Sequence, residues 1–228
     1  MRPVIRHPAS WKKFADPDDE IGRPLSRERD GDVRKLPIAI LGSGKGSNCR
    51  AILERVRTGQ LEADVRVVIS DVRDAPILEI AREFSVPGAY LPPGRFRTRL
   101  EPEAELRLVQ MLRDAGAALI VLAGFMRVLK APMLEAFPRR IVNIHPSLLP
   151  KFPGLEAWKQ ALEAGETRTG CTVHYVDEKI DHGEIIAQRE VPILPDDTPE
   201  TLHARIQAAE HELYPRVIAD FCRLYQEP

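Results

Sequence analysis

The feature that most constrains the fold of this chain is a short, uninterrupted apolar run, LIVLA, at Leu119–Ala123. A strand that is apolar at every position is typical of a parallel sheet whose two faces are both covered by helices. Similar runs occur at Pro37–Leu41 (PIAIL) and Ile141–Ile144 (IVNI), and segments with helical periodicity lie between the runs. This alternation predicts an α/β fold, an open and mostly parallel twisted sheet with helices on both faces.

The same patterns predict where the other elements lie. Further strands are expected at 65–69, 88–91, 172–176 and 184–188. Helices are expected at 75–84, 102–115 and 155–164. A final helix is predicted to begin after Thr198, a good N-cap, with Pro199 at its first position, and to run to about Leu224.

Composition restricts the class of protein. The 228 residues can bury a full core in one domain. A formal net charge of −1 argues against a polyanion-binding surface over the whole chain but leaves a local basic pocket open. No apolar run approaches the roughly 20 residues that span a membrane, and the N-terminus lacks the apolar core of a secretory signal. Cys49, Cys171 and Cys222 fit neither a disulfide framework nor a CxxC metal site. We therefore expect a cytoplasmic protein with reduced thiols.

Residues 1–35 differ in composition from the rest of the chain. They carry nine basic and seven acidic side chains, with few apolar residues between them. Such a segment cannot bury enough apolar surface to offset the entropy of ordering. We expect a flexible polar extension at 1–35, or else an arm that packs on a partner subunit through Trp11 and Phe14, followed by a folded domain at 36–228.

The glycine cluster Gly42–Asn48 (GSGKGSN) lies where a predicted strand turns into a predicted helix. At such a turn the backbone N–H groups and the positive helix end can hold a phosphate, and glycine allows a close approach. Ser47 and Asn48 add side-chain donors at the helix start. The cluster matches neither the dinucleotide-binding GxGxxG pattern nor a Walker loop. It predicts either a phosphate-binding turn or a plain tight turn before a capped helix.

Asn143 and His145 are two residues apart on a predicted strand, so both side chains point to the same face. They lie near the carboxyl end of the strand, where open α/β sheets bind their ligands. An amide that can donate to an oxyanion, beside an imidazole that titrates near neutrality, suits acyl-type transfer. The alternative is a buried histidine that only satisfies its neighbours. Prolines at 146, 150 and 153 shape the following loop, and one of these X-Pro bonds is a candidate for a cis peptide.

A polar loop at Asp177–Gly183 (DEKIDHG) separates two later strands. Asp181 could orient a histidine or relay a proton through water, or it could be only a turn residue before glycine. His145, His174 and His182 show no metal-ligand spacing such as HExxH, so no metal is expected. A GxSxG nucleophile elbow is absent, which argues against a serine hydrolase.

Taken in order, these motifs resemble the glycinamide ribonucleotide formyltransferase family. The segments that carry the resemblance are LGSGKGSN at 41–48, VLAGFMRVL at 121–129, NIHPSLLPKFPG at 143–154, GCTVHYVDEKIDHG at 170–183 and AAEHELYP at 208–215. They cover about residues 36–223, and NIHPSLLPKFPG is the most specific of them. The resemblance implies the formyltransferase fold, with a Rossmann-like N-terminal half.

The resemblance also implies roles for individual residues. The family's catalytic trio corresponds to Asn143, His145 and Asp181. The loop that holds the ribonucleotide phosphate corresponds to Gly46, Ser47 and Asn48. An acidic residue that binds the ribose or glycinamide end of the substrate corresponds to Glu210.

By the same resemblance, two segments form the walls of the folate pocket. One wall consists of Phe125, Met126, Arg127, Val128 and Leu129, with Arg127 and Leu129 contacting the pteridine by backbone and side chain. The opposite wall is the loop 176–181, with Val176, Asp177 and Asp181, and Asn143 also faces the folate.

The activity that the resemblance implies is transfer of a formyl group from the co-substrate 10-formyltetrahydrofolate to the amine of glycinamide ribonucleotide, a step of purine synthesis. Direct attack by the amine needs no covalent intermediate. Asn143 and a protonated His145 would stabilise the oxyanion, and Asp181 would raise the basicity of His145 and help to relay the proton. The expected partners are small molecules, with no nucleic acid and no membrane, and the expected assembly is a monomer or homodimer.

Three other activities compete with this one. A formyltetrahydrofolate hydrolase shares the trio, but relatives of that kind carry a regulatory domain before it, and about 35 polar residues are too few for one. A methionyl-tRNA formyltransferase would need a basic C-terminal RNA-binding domain. A nucleotide- or folate-binding protein without catalysis is permitted by the fold but not favoured by an intact trio.

Overall fold

Seven strands form one sheet in the computed structural model, which describes residues 34–227. The strands are β1 Leu36–Leu41, β2 Ala63–Ser70, β3 Gly88–Tyr90, β4 Leu119–Leu122, β5 Ile141–His145, β6 Arg168–Tyr175 and β7 Ile185–Pro192. The helices are α1 Ser47–Arg57, α2 Pro76–Glu83, α3 Pro102–Asp114, α4 Ala131–Ala136, α5 Ala157–Glu163 and α6 Pro199–Gln226. The expected extension at 1–35 falls, except for its last two residues, outside the described part of the chain.

The order of the strands is β3-β2-β1-β4-β5-β6-β7. The first five strands pair in parallel, whereas β6 is antiparallel to both β5 and β7. The predicted class, an open and mostly parallel sheet, is therefore confirmed. After β3 the chain returns to the other side of β1 and continues with β4. The carboxyl ends of β1 and β4 therefore flank the point where the strand order reverses, the usual ligand crevice of such sheets.

The central strands are buried on both faces, as their uninterrupted apolar sequence predicts. In β1, Ile38 and Ile40 pack into a core that contains residues of α1, α2 and α6. Ala39 and Leu41 face the other way, into a second core that contains residues of α3 and α4. This two-sided packing is the reason that helices cover both faces.

Helix α4 and strands β6 and β7 differ most from the sequence-based expectation, and β7 ends at Pro192, four residues after its predicted end. Helix α4 was not predicted, because six residues that begin with Ala-Pro are too few to show a helical period. Strand β6 begins at Arg168, four residues before the predicted start, because Thr169, Gly170 and Cys171 pair with β7. The longer strand matters for the site, since it carries the chain back alongside β5.

The long helix α6 begins as predicted. Thr198 is its N-cap and exchanges hydrogen bonds with Thr201 in a capping box, and Pro199 is the first helical residue. No helix within residues 34–227 is long and apolar enough to cross a membrane.

Tyr214 connects α6 to the sheet by hydrogen bonds. Its ring is fully buried, and its hydroxyl lies 2.9 Å from the Leu122 carbonyl oxygen and 3.0 Å from the Val142 carbonyl oxygen. The hydroxyl has one hydrogen to donate, so the two carbonyls share it. Tyr214 thereby holds α6 against the last residue of β4 and the first half of β5.

We expect Tyr214→Phe to lower the free energy of unfolding by about 1–2 kcal/mol, because the two buried carbonyls lose a donor while the ring packing is kept. Urea unfolding measures this effect as a lower midpoint at an unchanged slope. Tyr90→Phe, on the half-buried edge strand β3, is the matched control. An unchanged midpoint for Tyr214→Phe would contradict the proposed anchoring.

Candidate active site

The predicted site residues collect at the carboxyl edge of the sheet. The loops after β1 and β4 meet there, where the Ser43 N–H donates to the Gly124 carbonyl at 2.9 Å. In β5, Val142 and Ile144 pack into the core beside α6, so Asn143 and His145 face the opposite side. Both residues therefore share one face at the end of a strand, as the sequence indicates.

His145 is only 5% exposed, and protein groups lie against both of its ring nitrogens. Nε2 lies 2.8 Å from the Phe152 carbonyl oxygen, and Nδ1 lies 3.3 Å from Asp181 Oδ2. Since a carbonyl can only accept, Nε2 carries hydrogen. Burial lowers the pKa of His145 below its ordinary 6.5, and the Asp181 carboxylate and the Phe152 carbonyl offset part of that effect. The ring is thus neutral at pH 7. An acceptor faces each ring nitrogen, so a second proton on Nδ1 would also find a partner.

Asp181 joins three parts of the chain. Besides His145, its carboxylate accepts the Gly154 N–H at 2.8 Å and lies 3.6 Å from His174 Nε2. Burial raises the pKa of Asp181, but His174, His145 and the Gly154 N–H outweigh burial, and the net shift is downward. The carboxylate is therefore ionised at neutral pH. The loop that carries Asp181 passes close to the Tyr175 carbonyl at Gly183. A Cβ on residue 183 would overlap that carbonyl, so only glycine fits there.

His174 completes the cluster and was not predicted as a site residue. Its Nδ1 lies 2.8 Å from the Tyr175 carbonyl oxygen, so Nδ1 carries hydrogen and Nε2 can accept. Asn143 Nδ2 lies 3.2 Å from that Nε2, which fixes the orientation of the Asn143 amide. The two residues are directly opposite in the antiparallel β5–β6 register. Sequence reasoning missed His174 because only this register brings it beside Asn143.

Side chains of β6 and β7 hydrogen-bond to the backbone of the loop after β5. Leu149 donates its N–H to the Thr172 hydroxyl at 3.0 Å, and Gln188 Nε2 donates to the Leu149 carbonyl at 2.9 Å. The Leu149–Pro150 peptide is cis, as one of the three candidate bonds was expected to be. These contacts set the course of the segment that presents the Phe152 carbonyl and the Gly154 N–H to the cluster.

The predicted phosphate loop leads into α1. Gly46 is the N-cap with φ 74°, and a Cβ there would come within 2.9–3.0 Å of Ile77, so this position suits only glycine. No side chain of the described residues caps this helix, and its first turn contains no acidic residue. The helix start, which includes half-buried Ser47, keeps free N–H groups suited to an anion.

Asn48 and Glu210 are a buried pair 162 positions apart in sequence. Asn48 Nδ2 donates to Glu210 Oε2 at 2.8 Å, and Asn48 Oδ1 has no hydrogen-bond partner within the described residues. Burial raises the pKa of the Glu210 carboxyl to about 7, although the Asn48 amide lowers it in part. Glu210 lies on α6, one helical turn before Tyr214, so its bond to Asn48 joins the start of α1 to the helix that packs against β4 and β5.

The segment predicted as one wall of the folate pocket follows β4. Phe125 and Leu129 are buried and Val128 is half-buried, whereas the Met126 side chain is 56% exposed. The Arg127 guanidinium binds the Asp71 carboxylate at 2.6 Å. The Arg127 Nε and Nη1 atoms are therefore both engaged by protein acceptors.

The segment predicted as the opposite wall follows β6. Val176 is half-buried, and its N–H donates to the Ile141 carbonyl at 3.0 Å. Asp177 is exposed and accepts the Lys179 N–H at 2.9 Å. Asp181 is thus the member of this loop that reaches the histidine cluster.

The three cysteines take no part in the site. All are free and buried, and burial raises the pKa of Cys171 and brings that of Cys49 and of Cys222 to about 12. None supplies a thiolate at neutral pH. Within residues 34–227, no group of three or more histidine, cysteine or acidic side chains is arranged to hold a metal ion.

Comparisons with known proteins agree on one family. The profile described as formyl transferase matches residues 36–218. Phosphoribosylglycinamide formyltransferase of Haemophilus influenzae is 39% identical over 184 residues, which cover 81% of this chain and 86% of that protein. A crystal structure of glycinamide ribonucleotide transformylase 1 from Symbiobacterium toebii superposes with a TM-score of 0.79 at 47% identity, covering 83% of this chain and 88% of that one.

A longer relative matches over a small part of its length. The trifunctional purine biosynthetic protein adenosine-3 of Drosophila melanogaster is 47% identical over 188 residues. These residues cover 82% of this chain but only 14% of that protein.

The raised pKa of Glu210 makes stability depend on pH. The folded protein keeps this proton up to about pH 7, whereas the unfolded chain releases it near 4.5. The stability associated with the neutral carboxyl is therefore complete below about pH 4.5 and is lost as the pH rises through about 7. We expect Glu210→Gln to stabilise the fold at about pH 8, by on the order of 3 kcal/mol, and to change it little at about pH 4.5.

Thermal unfolding followed by circular dichroism at the two pH values tests this expectation. Glu212→Gln, an exposed carboxylate on the same helix paired with Arg189, is the control and should show no such pH-dependent gain. An equal shift of the Glu210→Gln midpoint at both pH values would mean that the carboxyl titrates normally.

Proposed function

This chain belongs to the formyl transferase family, and we propose that it transfers the formyl group of 10-formyltetrahydrofolate to the amine of glycinamide ribonucleotide, a step of purine synthesis. The proposal rests most on one observation. The imidazole–carboxylate–amide cluster at the end of β5 and the uncapped start of α1 lie on the same edge of the sheet. Since β1 and β5 are two strands apart, the two features are about 10 Å from one another.

The acceptor half of the site fits a phosphorylated amine. Free N–H groups at Gly46, Ser47 and Asn48 would bind the phosphate, helped by the positive helix end. Glu210 and the unpaired Asn48 Oδ1 offer acceptors for hydroxyl or amine hydrogens of the same ligand. The names of the relatives, which specify phosphoribosylglycinamide, support this acceptor rather than water.

The donor half would lie between the segment Phe125–Leu129 and the loop 176–181. The bound folate supplies a formyl group attached to nitrogen, which an amine can attack directly. The backbone groups of Arg127 and Leu129 are the proposed contacts to the pteridine. The buried rings and chains of Phe125 and Leu129 give this wall an apolar base.

His145 and Asp181 are proposed to stabilise the charges that develop at the formyl group and to assist proton transfer. The neutral ring donates through Nε2–H, so contact with the formyl oxygen requires His145 to exchange the Phe152 carbonyl for that oxygen. When the amine attacks, negative charge develops on the formyl oxygen. The amine then loses a proton, and the folate nitrogen gains one as its bond to the formyl carbon breaks. Asp181 stabilises the imidazolium that forms, because its carboxylate is ionised and lies against Nδ1.

Asn143 provides the second donor. His174 Nε2 accepts one hydrogen of the Asn143 amide. The second amide hydrogen is then available to donate to the developing oxyanion. With no thiolate among the described residues, direct amine attack is favoured over a covalent enzyme intermediate. The enzyme then acts mainly by positioning and electrostatics, and correct positioning alone can supply about 7–11 kcal/mol in well-oriented reactions.

An assay of folate release tests the proposal. Purified protein is mixed with 10-formyltetrahydrofolate, with and without glycinamide ribonucleotide, and tetrahydrofolate is followed by absorbance. We expect product only when the ribonucleotide is present. His145→Ala and Asp181→Asn should each lower kcat by about 10²–10³, and Asp114→Asn, an exposed carboxylate at the end of α3, is the control.

Equal release of tetrahydrofolate with and without the ribonucleotide would indicate a hydrolase and contradict the proposed acceptor. Near-normal turnover by Asp181→Asn would contradict the proton relay. Binding of both ligands without turnover would indicate a binding protein.

A further inference from the structure

Another buried carboxylate, Asp71, lies at the same edge of the sheet and has no place in the chemistry described above. It follows the last residue of β2, and its side chain is 1% exposed. Oδ1 accepts the Ser43 hydroxyl at 2.5 Å, and Oδ2 accepts Arg127 Nε at 2.6 Å. The two donors come from the loops after β1 and β4, which carry the proposed phosphate loop and the proposed folate wall.

The contacts extend beyond Asp71 to form a continuous network. Arg127 Nη1 donates to the Phe96 and Arg97 carbonyls, each at 2.6 Å, which ties in the segment before α3. The Ser43 hydroxyl, while it donates to Asp71, accepts the Met126 N–H at 2.8 Å. Four connecting segments are thereby joined around a single carboxylate.

The chemistry of each member suits this joining role. A carboxylate accepts at both oxygens, whereas an amide in the same shape would turn an NH₂ group toward one of the two donors. The guanidinium fork donates to a carboxylate and to two carbonyls at once, which the point charge of lysine cannot reproduce. Because the group is buried, loss of one acceptor leaves a donor unpaired.

We propose that Asp71 is a positioning residue that holds the folate wall at 125–129 in register with the phosphate loop at 42–48, through Arg127 and Ser43. This inference rests on the proposed function, since it concerns where the two ligands bind. With its side chain 1% exposed, Asp71 is enclosed by protein groups and acts through Arg127 and Ser43 rather than on a ligand directly. Its contribution is to ligand affinity rather than to the chemical step.

The expected kinetic signature separates positioning from general support of the fold. A displaced wall weakens binding of substrate and transition state alike, which raises KM and leaves kcat nearly unchanged. Partial unfolding has the opposite signature, because it removes active enzyme and lowers kcat at constant KM. We expect Asp71→Asn to raise the KM for 10-formyltetrahydrofolate by about tenfold, with kcat within about threefold of wild type.

Two further variants sharpen the test. Ser43→Ala removes the hydroxyl between Asp71 and the Met126 N–H with little change in volume, and we expect it to raise the same KM. This variant provides the test even if Asp71→Asn does not fold. Asp197→Asn is the matched control. Asp197 is also a buried carboxylate (3% exposed) paired with an arginine, Arg205, at 2.6–2.8 Å, but it precedes α6 and contacts neither wall nor loop.

Steady-state kinetics with each substrate varied, on protein that circular dichroism shows to be folded, decides the matter. A raised folate KM in Asp71→Asn or Ser43→Ala, absent from Asp197→Asn, supports the inference. An unchanged folate KM in the folded variants, a fall in kcat alone, or an equal rise in Asp197→Asn overturns it. A wild-type protein without formyl transfer would instead overturn the proposed function, and the positioning role with it.

Discussion

The site depends on one half-buried carboxylate, Asp181, and on the groups that surround it. Removing a carboxylate from water is costly unless nearby groups compensate for the lost hydration. Here the Gly154 N–H donates to it, and the His145 and His174 rings lie 3.3 and 3.6 Å away. Each comes from a different segment: Gly154 from the loop after β5, His145 from β5 and His174 from β6. The same contacts that keep Asp181 ionised therefore hold β5, β6 and the loop after β5 together.

The sheet makes this arrangement possible by changing direction. Five parallel strands with apolar cores on both faces bring the β1, β4 and β5 loops to one edge. Strand β6 then runs antiparallel to β5, which sets His174 opposite Asn143 and returns the following loop to the same edge. From the opposite face, Tyr214 of α6 contacts β4 and β5, and Glu210 contacts Asn48 at the start of α1. The packed core thus fixes the separation between the cluster and the proposed anion site.

Much of this could be predicted from sequence because it is local. Apolar runs located the central strands, Gly46 marked the strand-to-helix turn, and Thr198 with Pro199 marked the start of α6. The partners of His174 and Asp71 could not be predicted, since each is defined by strand register or by contacts between loops distant in sequence. The same holds for Arg127. Its motif indicates a pocket wall, but only the folded structure shows that its guanidinium donates to the Asp71 carboxylate.

The central claim is that Asp181 acts on His145 as an ionised partner within a buried site. NMR titration of the His145 ring, assigned by comparison with a His145 variant, measures this directly in wild type and in Asp181→Asn. The account predicts a pKa below the ordinary 6.5 in wild type, because burial dominates, and a still lower pKa in Asp181→Asn, because the stabilising charge is gone. An unchanged or higher pKa in the variant would contradict it.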